Sequence, residues 1–163
     1  MSLVDDIIRA LRLEPHPLEG GFFRETYRSP ETMMHRGNQR SLGTAIYYLL
    51  TPETFSEMHR LPTDEIFHFY LGDPVRMLQL WPDGSSRTVT LGSAVLAGQQ
   101  PQVVVPGGVW QGSHLVEGGR FALLGTTMAP GFDYADYQTG QREELIRMYP
   151  EQAELIRCLT RSP

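Results

Sequence analysis

The chain has 163 residues, of which 40% are hydrophobic, and a formal net charge of -5. This length fits one globular domain with a proper core and is too short for two. The acidic balance and the scattered arginines argue against a nucleic-acid partner. Because the sequence contains no lysine, Schiff-base, pyridoxal-phosphate and P-loop chemistry are excluded. The single cysteine, Cys158, excludes an internal disulfide and any zinc site built from several cysteines.

The first predicted element is a helix over residues 2–13. Ser2 is a suitable N-cap, and Leu3 and Ile7 begin an apolar stripe at helical spacing. The prolines and glycines of EPHPLEGG end this helix, because they cannot continue it. The sequence shows neither a secretory signal nor an apolar run of about 20 residues. We therefore expect a cytoplasmic protein with no membrane contact.

The long middle of the chain, about 22–137, predicts a barrel made of strands. Short runs rich in Val, Ile, Phe, Tyr and Thr alternate there with Pro, Gly and Asp. The nine candidate strands are 22–28, 43–50, 55–59, 65–71, 75–81, 86–91, 102–105, 109–115 and 120–128. So many short strands favour a mainly all-β sandwich or barrel, and the absence of helix-length crossovers favours antiparallel pairing. A segment at about 141–161 carries an apolar helical stripe, which predicts closing helices.

One strand carries the first functional candidate. In MHRLPTDEIFHFYLGD, residues 58–73, alternation places Glu65, Phe67 and Phe69 on one face and His68 on the other. A carboxylate among inward-facing aromatic side chains is costly unless it pairs or binds something. Glu65 is therefore a candidate site residue, and His59, in the preceding strand or turn, could return to its side.

Two short motifs identify a resemblance. Four residues match the spacing of the first cupin motif, H-x-H-x(3,4)-E-x(6)-G: His59, Leu61, Glu65 and Gly72. PGGVWQ resembles the second motif, P-x-G-x-x-H, with Gln111 in the position of the histidine. Together with PHPLEGGFFRETYRS, GTAIYYLL, DEIFHFYLGD and APGFDYADY, these blocks resemble an uncharacterised family of dTDP-sugar epimerase-like (RmlC-like) cupins. The resemblance covers nearly the whole chain.

The resemblance implies a fold and a ligand set. The expected fold is a double-stranded β-helix, or jelly-roll cupin barrel, with short helices at both ends, forming a single domain over residues 1–163. Metal-binding cupins use His, His, Glu and His, but here Leu61 cannot ligate and Gln111 offers only a neutral amide oxygen. We expect no cofactor and no tightly bound metal; a weakly held divalent ion would use His59, Glu65 and Gln111. A metal-dependent oxygenase is disfavoured, because only one motif histidine remains.

The resemblance also suggests a type of chemistry. The related epimerases work without metal and use a histidine base held by a carboxylate, with a tyrosine as the opposing acid. His59 and Glu65 are the catalytic candidates here, with Asp133 as another carboxylate and Tyr27, Tyr48 and Tyr134 as candidate acids. The sequence leaves two functions open: a metal-independent isomerase or epimerase for a small polar, sugar-like metabolite, and a non-catalytic module that binds such a molecule.

Other residues are expected to complete the ligand pocket or to surround it. The pocket candidates are Gln111, Phe67, Phe69, Tyr27, Tyr48, Phe132 and Asp133. HPLEGGFFRE could form a pocket lip with Glu19, Arg24 and Glu25, while His16, between two prolines, is interpreted as fixing a turn.

The central strands also predict self-association. AIYYLL and EIFHFYL are apolar on both faces, although only one face of each strand meets the barrel interior. Tyr47, Leu49, Ile66 and Tyr70 on the outer faces therefore predict a patch that a second copy buries in a homodimer.

Overall fold

The computed structural model describes residues 2–161 and contains two facing antiparallel sheets. The strands are β1 (Glu14–Pro15), β2 (Phe22–Arg28), β3 (Thr32–His35), β4 (Asn38–Ser41), β5 (Thr44–Leu50), β6 (Ser56–Arg60), β7 (Glu65–Gly72), β8 (Val75–Leu80), β9 (Ser86–Leu91), β10 (Gln102–Val105), β11 (Trp110–Leu115), β12 (Ala122–Met128) and β13 (Gln138–Thr139). One sheet has the order β1-β2-β5-β12-β7-β10, and the other has the order β13-β6-β11-β8-β9. Strands β3 and β4 form a separate hairpin. All the strand pairs are antiparallel, which confirms the predicted jelly-roll architecture.

The nine predicted strands are present with ends shifted by at most two residues, and four further strands were missed. The β3–β4 hairpin has no counterpart among the nine predicted strands. Its residues are mostly exposed on both faces, so the sequence carries no alternation of polar and apolar residues there. Strands β1 and β13 have two residues each and exist only because a neighbouring strand pairs with them.

Three short helices cover the outer faces of the sheets: α1 (Leu3–Leu11), α2 (Arg142–Met148) and α3 (Ala153–Cys158). Helix α1 starts with a capping box between Ser2 and Asp5 and packs on the first sheet over Leu49 and Leu123. Helices α2 and α3 pack on the second sheet over Met58. Within residues 2–161, none of the helices has both the length and the apolar character needed to cross a membrane.

Helix α1 covers part of the outer patch that was predicted to bind a second copy. Leu49 is fully buried and Tyr47 packs in the same cluster, so the prediction that a second copy covers Leu49 is wrong. Apolar side chains remain exposed on β7 and β10, where Tyr70 and Val104 are each nearly half accessible. The homodimer therefore stays a prediction, restricted to this part of the sheet.

The barrel has a packed end and a polar end. Tyr48, Phe67, Met77 and Leu124 belong to the apolar core between the two sheets. Polar side chains gather instead where β7 begins and β6 ends, around Glu65. At the far end of β7, Gly72 has a φ of +103°, and a side chain there would collide with the Phe121 carbonyl. The glycine of the first motif thus allows β7 to end tightly against the chain that leads into β12.

Candidate functional site

A cavity lies at the polar end of the barrel. Its lining residues are His16, Glu19, Phe23, Glu25, Thr44, Ile46, His59, Leu61, Glu65, Thr126, Met128, Phe132, Tyr134 and Tyr137. The space between these side chains, including the open mouth, is about 500 Å³, and the centre of a water molecule can reach about 50 Å³ of it. This volume accommodates several waters or one small polar group, with any larger part of a ligand at the mouth.

His59 faces this cavity because of an irregularity in β6. The pairing of β6 with β11 shifts register between the His59–Gln111 pair and the Ser56–Ser113 pair, so β6 carries one extra residue. Both Ser56 and His59 can therefore point toward the carboxyl of Glu19.

The hydrogen bonds of His59 fix its tautomer. Its Nδ1 lies 2.6 Å from the carbonyl oxygen of Glu57. A carbonyl only accepts, so Nδ1 carries the hydrogen and donates it. In the neutral ring, Nε2 is then an unprotonated acceptor, and it has no hydrogen-bond partner among residues 2–161. Tyr137 stacks on the imidazole with ring centroids 4.8 Å apart, which fixes the plane of the ring.

Glu65 is held at the first position of β7 by a side chain from the opposite sheet. The amide nitrogen of Gln111 donates to Glu65 Oε2 at 2.7 Å. The carboxyl is more than nine-tenths buried. Burial disfavours its ionised form and, with the nearby carboxyl of Glu19, raises the pKa of Glu65 to about 7. Near neutral pH this group can therefore either donate or accept a proton.

Glu19 reaches the cavity from the loop between β1 and β2. His16 organises this loop, because its Nδ1 accepts the backbone N–H groups of Leu18 at 3.3 Å and Glu19 at 2.9 Å. Gly20 follows with a φ of +99°, and a side chain there would meet the Phe55 carbonyl, so the chain passes close to the barrel only as glycine. Ser56 donates a hydrogen bond to the Glu19 carboxyl.

The side chains of His16 and Glu19 from this loop and of His59 from β6 surround a small space in the cavity. Glu19 Oε2 lies 3.9 Å from His16 Nε2 and 4.0 Å from His59 Nε2, beyond hydrogen-bond distance. Burial raises the pKa of Glu19 and lowers the pKa of both histidines. All of these shifts favour the neutral forms of the groups. In its neutral form His16 carries its hydrogen on Nε2, because its Nδ1 accepts the two backbone N–H groups.

The comparisons with known proteins agree with this architecture. Residues 5–140 match the model of the family described as Cupin_5, Cupin superfamily (DUF985). The chain belongs to this family. The Cupin_5 protein is 32% identical to the uncharacterized protein YML079W of Saccharomyces cerevisiae, over 93% of this chain and 83% of the yeast protein.

Solved structures place the Cupin_5 chain among close relatives. A hypothetical protein from Leishmania major has a TM-score of 0.91 and 32% identity, covering 99% of this chain and all of its own. Protein SO0799 from Shewanella oneidensis has a TM-score of 0.90 and 36% identity, with both chains fully covered. A dTDP sugar isomerase from Desulfovibrio desulfuricans has a TM-score of 0.53 and 14% identity, covering 73% of this chain and 83% of its own, and shares the fold alone.

The cavity does not fit a cupin metal centre. Leu61 occupies the wall where a second motif histidine would stand, and Gln111 directs its N–H toward Glu65. An N–H group cannot ligate a cation. Across residues 2–161, no group of three or more His, Cys, Asp or Glu side chains is arranged to hold a metal ion. The Cupin_5 site is therefore interpreted through proton transfer and hydrogen bonding, and weak metal binding stays a prediction.

Some predicted pocket residues line the Cupin_5 cavity, and others do not. The lining includes His59, Glu65, Phe132, Tyr134, Glu19 and Glu25. Gln111 lies directly behind Glu65. Phe67 and Phe69 are on the predicted face but belong to the packed core, deeper than the cavity. Tyr48 is also in the core wall, and its hydroxyl donates to the Gly20 carbonyl at 2.7 Å.

Three placements were wrong. Tyr27 is 56% exposed, because the pairing of β2 with β5 shifts register between Glu25 and Tyr27 and turns the tyrosine outward. Arg24 neighbours Glu25 on the strand, so it points to the opposite face and lies over the Tyr47 ring. Asp133 caps a turn by accepting from the Ala135 N–H, and it faces Arg40 at 3.6 Å.

Seven lining residues were missed as site residues, and two of them, His16 and Tyr137, contact or face the groups proposed to act. His16 does fix its turn, as interpreted, but the same ring also faces Glu19 from inside the cavity. Pro15 and Pro17 could have indicated a site role for His16, because prolines on both sides restrict the backbone and so fix the direction of the side chain. Tyr137 lies in the APGFDYADY block, where no alternation marks an inward residue; only the stacking on His59 identifies it.

Proposed function

We propose that this protein binds a small polar metabolite in the barrel cavity and moves a proton on it, as a metal-independent isomerase or epimerase does. The supporting observation is the orientation of His59. Its Nδ1–H is bound to the Glu57 carbonyl, which leaves the unprotonated Nε2 directed into a cavity that also holds two protonatable carboxyls. A base must present a free lone pair to the proton it removes.

The proposed reaction gives each group one task. His59 Nε2 removes a proton from a hydroxyl-bearing carbon next to a carbonyl, and Glu65 donates its proton to the carbonyl oxygen, which gives a neutral enediol. For the isomer, His59 returns its proton to the former carbonyl carbon and Glu65 takes a proton back from the other enediol hydroxyl, which regenerates both residues. For the epimer, Tyr134 protonates the original carbon from the opposite face, Glu65 takes back the proton it gave, and His59 passes its proton to Tyr134 through solvent. The pKa of Glu65, raised to about 7 by burial, suits an acid that must recover its proton near neutral pH. Gln111 positions this carboxyl through its hydrogen bond.

A non-catalytic binding function is the second candidate, and one observation favours it. The nearest carboxylate oxygen to His59 Nε2, on Glu19, is 4.0 Å away, so the ring lacks the carboxylate hydrogen bond that commonly strengthens a histidine base. Its orienting partner is instead a backbone carbonyl, which does not increase the basicity of the ring to the same extent.

Deuterium exchange separates the two candidates. Small sugars and hydroxy-ketones are incubated with protein in D₂O, and proton NMR follows loss of the C–H signal beside the carbonyl. The proposed enzyme exchanges this proton, and His59→Gln abolishes the exchange while Glu117→Gln, an exposed control, does not. Ligand binding without exchange in the wild type would support the binding module and contradict the proposed catalysis.

A further inference from the structure

The cavity is acidic and contains no fixed cation. Among the lining residues, Glu19, Glu25 and Glu65 are carboxylic, and none is arginine. Glu25 is already neutralised at the mouth, because Arg28 donates to both of its oxygens at 2.9 Å. Glu19 and Glu65 are buried deeper and face neutral partners, namely Ser56 and Gln111. The two deep carboxyls therefore have no positive charge to balance them.

Two acceptor atoms face each other across this cavity at more than hydrogen-bond distance. His59 is 1% exposed and directs a bare Nε2 into the cavity. Glu19 Oε2 is 4.0 Å from this nitrogen, a separation at which a single N–H-bearing atom between them could donate to both. A compact group with several hydrogen-bond donors would therefore fit between these two atoms.

Aromatic side chains complete the wall. Phe23, Phe132, Tyr134 and Tyr137 line the same cavity, and Phe132 and Tyr134 pack edge to face at 5.0 Å. The face of an aromatic ring attracts a cation through its quadrupole, most strongly where water is excluded. An acidic floor with aromatic walls suits an ammonium group better than a phosphate or a carboxylate.

We propose that the ligand carries a primary ammonium group, as an amino alcohol or an amino sugar does, and that this group lies between Glu19, His59 and Glu65. Three N–H donors would satisfy the two carboxyls and the imidazole acceptor. In this arrangement His59 Nε2 accepts from the ammonium group and is not free to remove a proton, so the inference rests on the binding part of the proposed function alone and defines its ligand class.

The arginines near the mouth do not offer an alternative anion site in the cavity. Arg28 is bound to Glu25 and also donates to the Phe132 carbonyl at 3.0 Å. Arg40 donates to Asp136 at 2.8 Å. An anionic ligand would have to displace these partners and would then face Glu19 and Glu65 inside. Sugar nucleotides are accordingly poor candidates for this cavity.

Matched small ligands test the inference by calorimetry or by ligand-observed NMR. Ethanolamine, ethylene glycol and glycolate have the same size and present an ammonium, a hydroxyl and a carboxylate; glucosamine and glucose extend the comparison. At pH 8 we expect each amine to bind about 10- to 100-fold more tightly than its hydroxyl analogue, the ratio that a charged hydrogen bond supplies. Glycolate should not bind.

Two variants locate the ammonium group. Glu19→Gln and Glu65→Gln should each remove most of the preference for the amine, whereas Glu117→Gln should keep it. Circular dichroism identifies a variant that fails to fold, and the other then carries the test. Equal binding of amine and hydroxyl analogues, or an amine preference unchanged in both folded variants, would overturn the inference and leave the proposed binding function standing. Binding of none of these ligands would contradict both.

Discussion

Neutralising Glu65 should stabilise the protein at alkaline pH. Its pKa rises on folding from an ordinary value of 4.5 to about 7, chiefly because the carboxyl is buried. The folded state then binds more protons than the unfolded state between these two values, so this group's contribution to stability falls as pH rises from about 4.5 to about 7. At about 1.4 kcal/mol per pH unit, the penalty reaches about 3 kcal/mol above pH 7. Because the carboxyls of Glu65 and Glu19 interact, this dependence of stability on pH belongs to the pair of carboxyls.

The substitution Glu65→Gln removes the ionisation and preserves the shape, since a glutamine oxygen can still accept from Gln111. We expect the free energy of unfolding of Glu65→Gln to exceed that of the wild type by up to about 3 kcal/mol at pH 8, and to match it near pH 4.5. Urea unfolding at several pH values measures both.

Comparison with the wild type at pH 7 to 8 separates this group from His16 and His59. Burial lowers the pKa of both histidines, so the stability they contribute is lost as pH falls below their ordinary value of 6.5. The His16 contribution cancels in the difference, whereas the His59 contribution does not cancel below pH 6.5, because the charge of Glu65 raises the pKa of His59. Glu117→Gln, on the exposed surface, should show no pH-dependent difference. A Glu65→Gln protein that is less stable than the wild type at pH 8, or a difference that does not change with pH, would refute the reasoning.

Three further outcomes are expected. Leu61→His adds a second imidazole to the cavity wall and should raise zinc or nickel affinity measurably by calorimetry; no gain would mean that the motif register is wrong. Tyr70→Asp on the exposed part of β7 should convert a homodimer into a monomer in sedimentation equilibrium, and a wild-type monomer at micromolar concentration would contradict the predicted dimer. Tyr137→Phe removes a buried hydroxyl without a hydrogen-bond partner and should raise the free energy of unfolding by about 1 kcal/mol. A lower free energy would show that the hydroxyl is satisfied in solution.

The fold was predictable because its signals are local and repeated. Each main strand combines β-branched or aromatic residues with a turn at its end, and the cupin blocks fix their order. The hairpin formed by β3 and β4 could not be found in this way, because neither of its faces packs against the core. Where a strand has no buried face, the sequence does not record its alternation.

The site was predictable only where alternation holds. Glu65 could be placed by parity along β7, and His59 by its motif position. Tyr27 was misplaced because a bulge cannot be seen as a change in residue type, yet it reverses every later side chain on the strand. Glu19 and His16 approach through a loop, where the sequence suggests proximity but no direction.

Leu61 and Gln111, which replace two histidines of the cupin motifs and lower the expected metal affinity, also explain the electrostatics of the cavity. In a metal cupin the glutamate of the first motif faces a cation, which stabilises its charge. Here Leu61 adds no ligand and Gln111 supplies one neutral N–H, which cannot balance a buried carboxylate. With Glu19 alongside and no arginine in the wall, the charge is neutralised by binding a proton, and the pKa of Glu65 rises accordingly. A proton held in this way can be passed to a substrate or displaced by an ammonium group, so the proposed acid and the proposed amine ligand depend on the same unbalanced carboxyls.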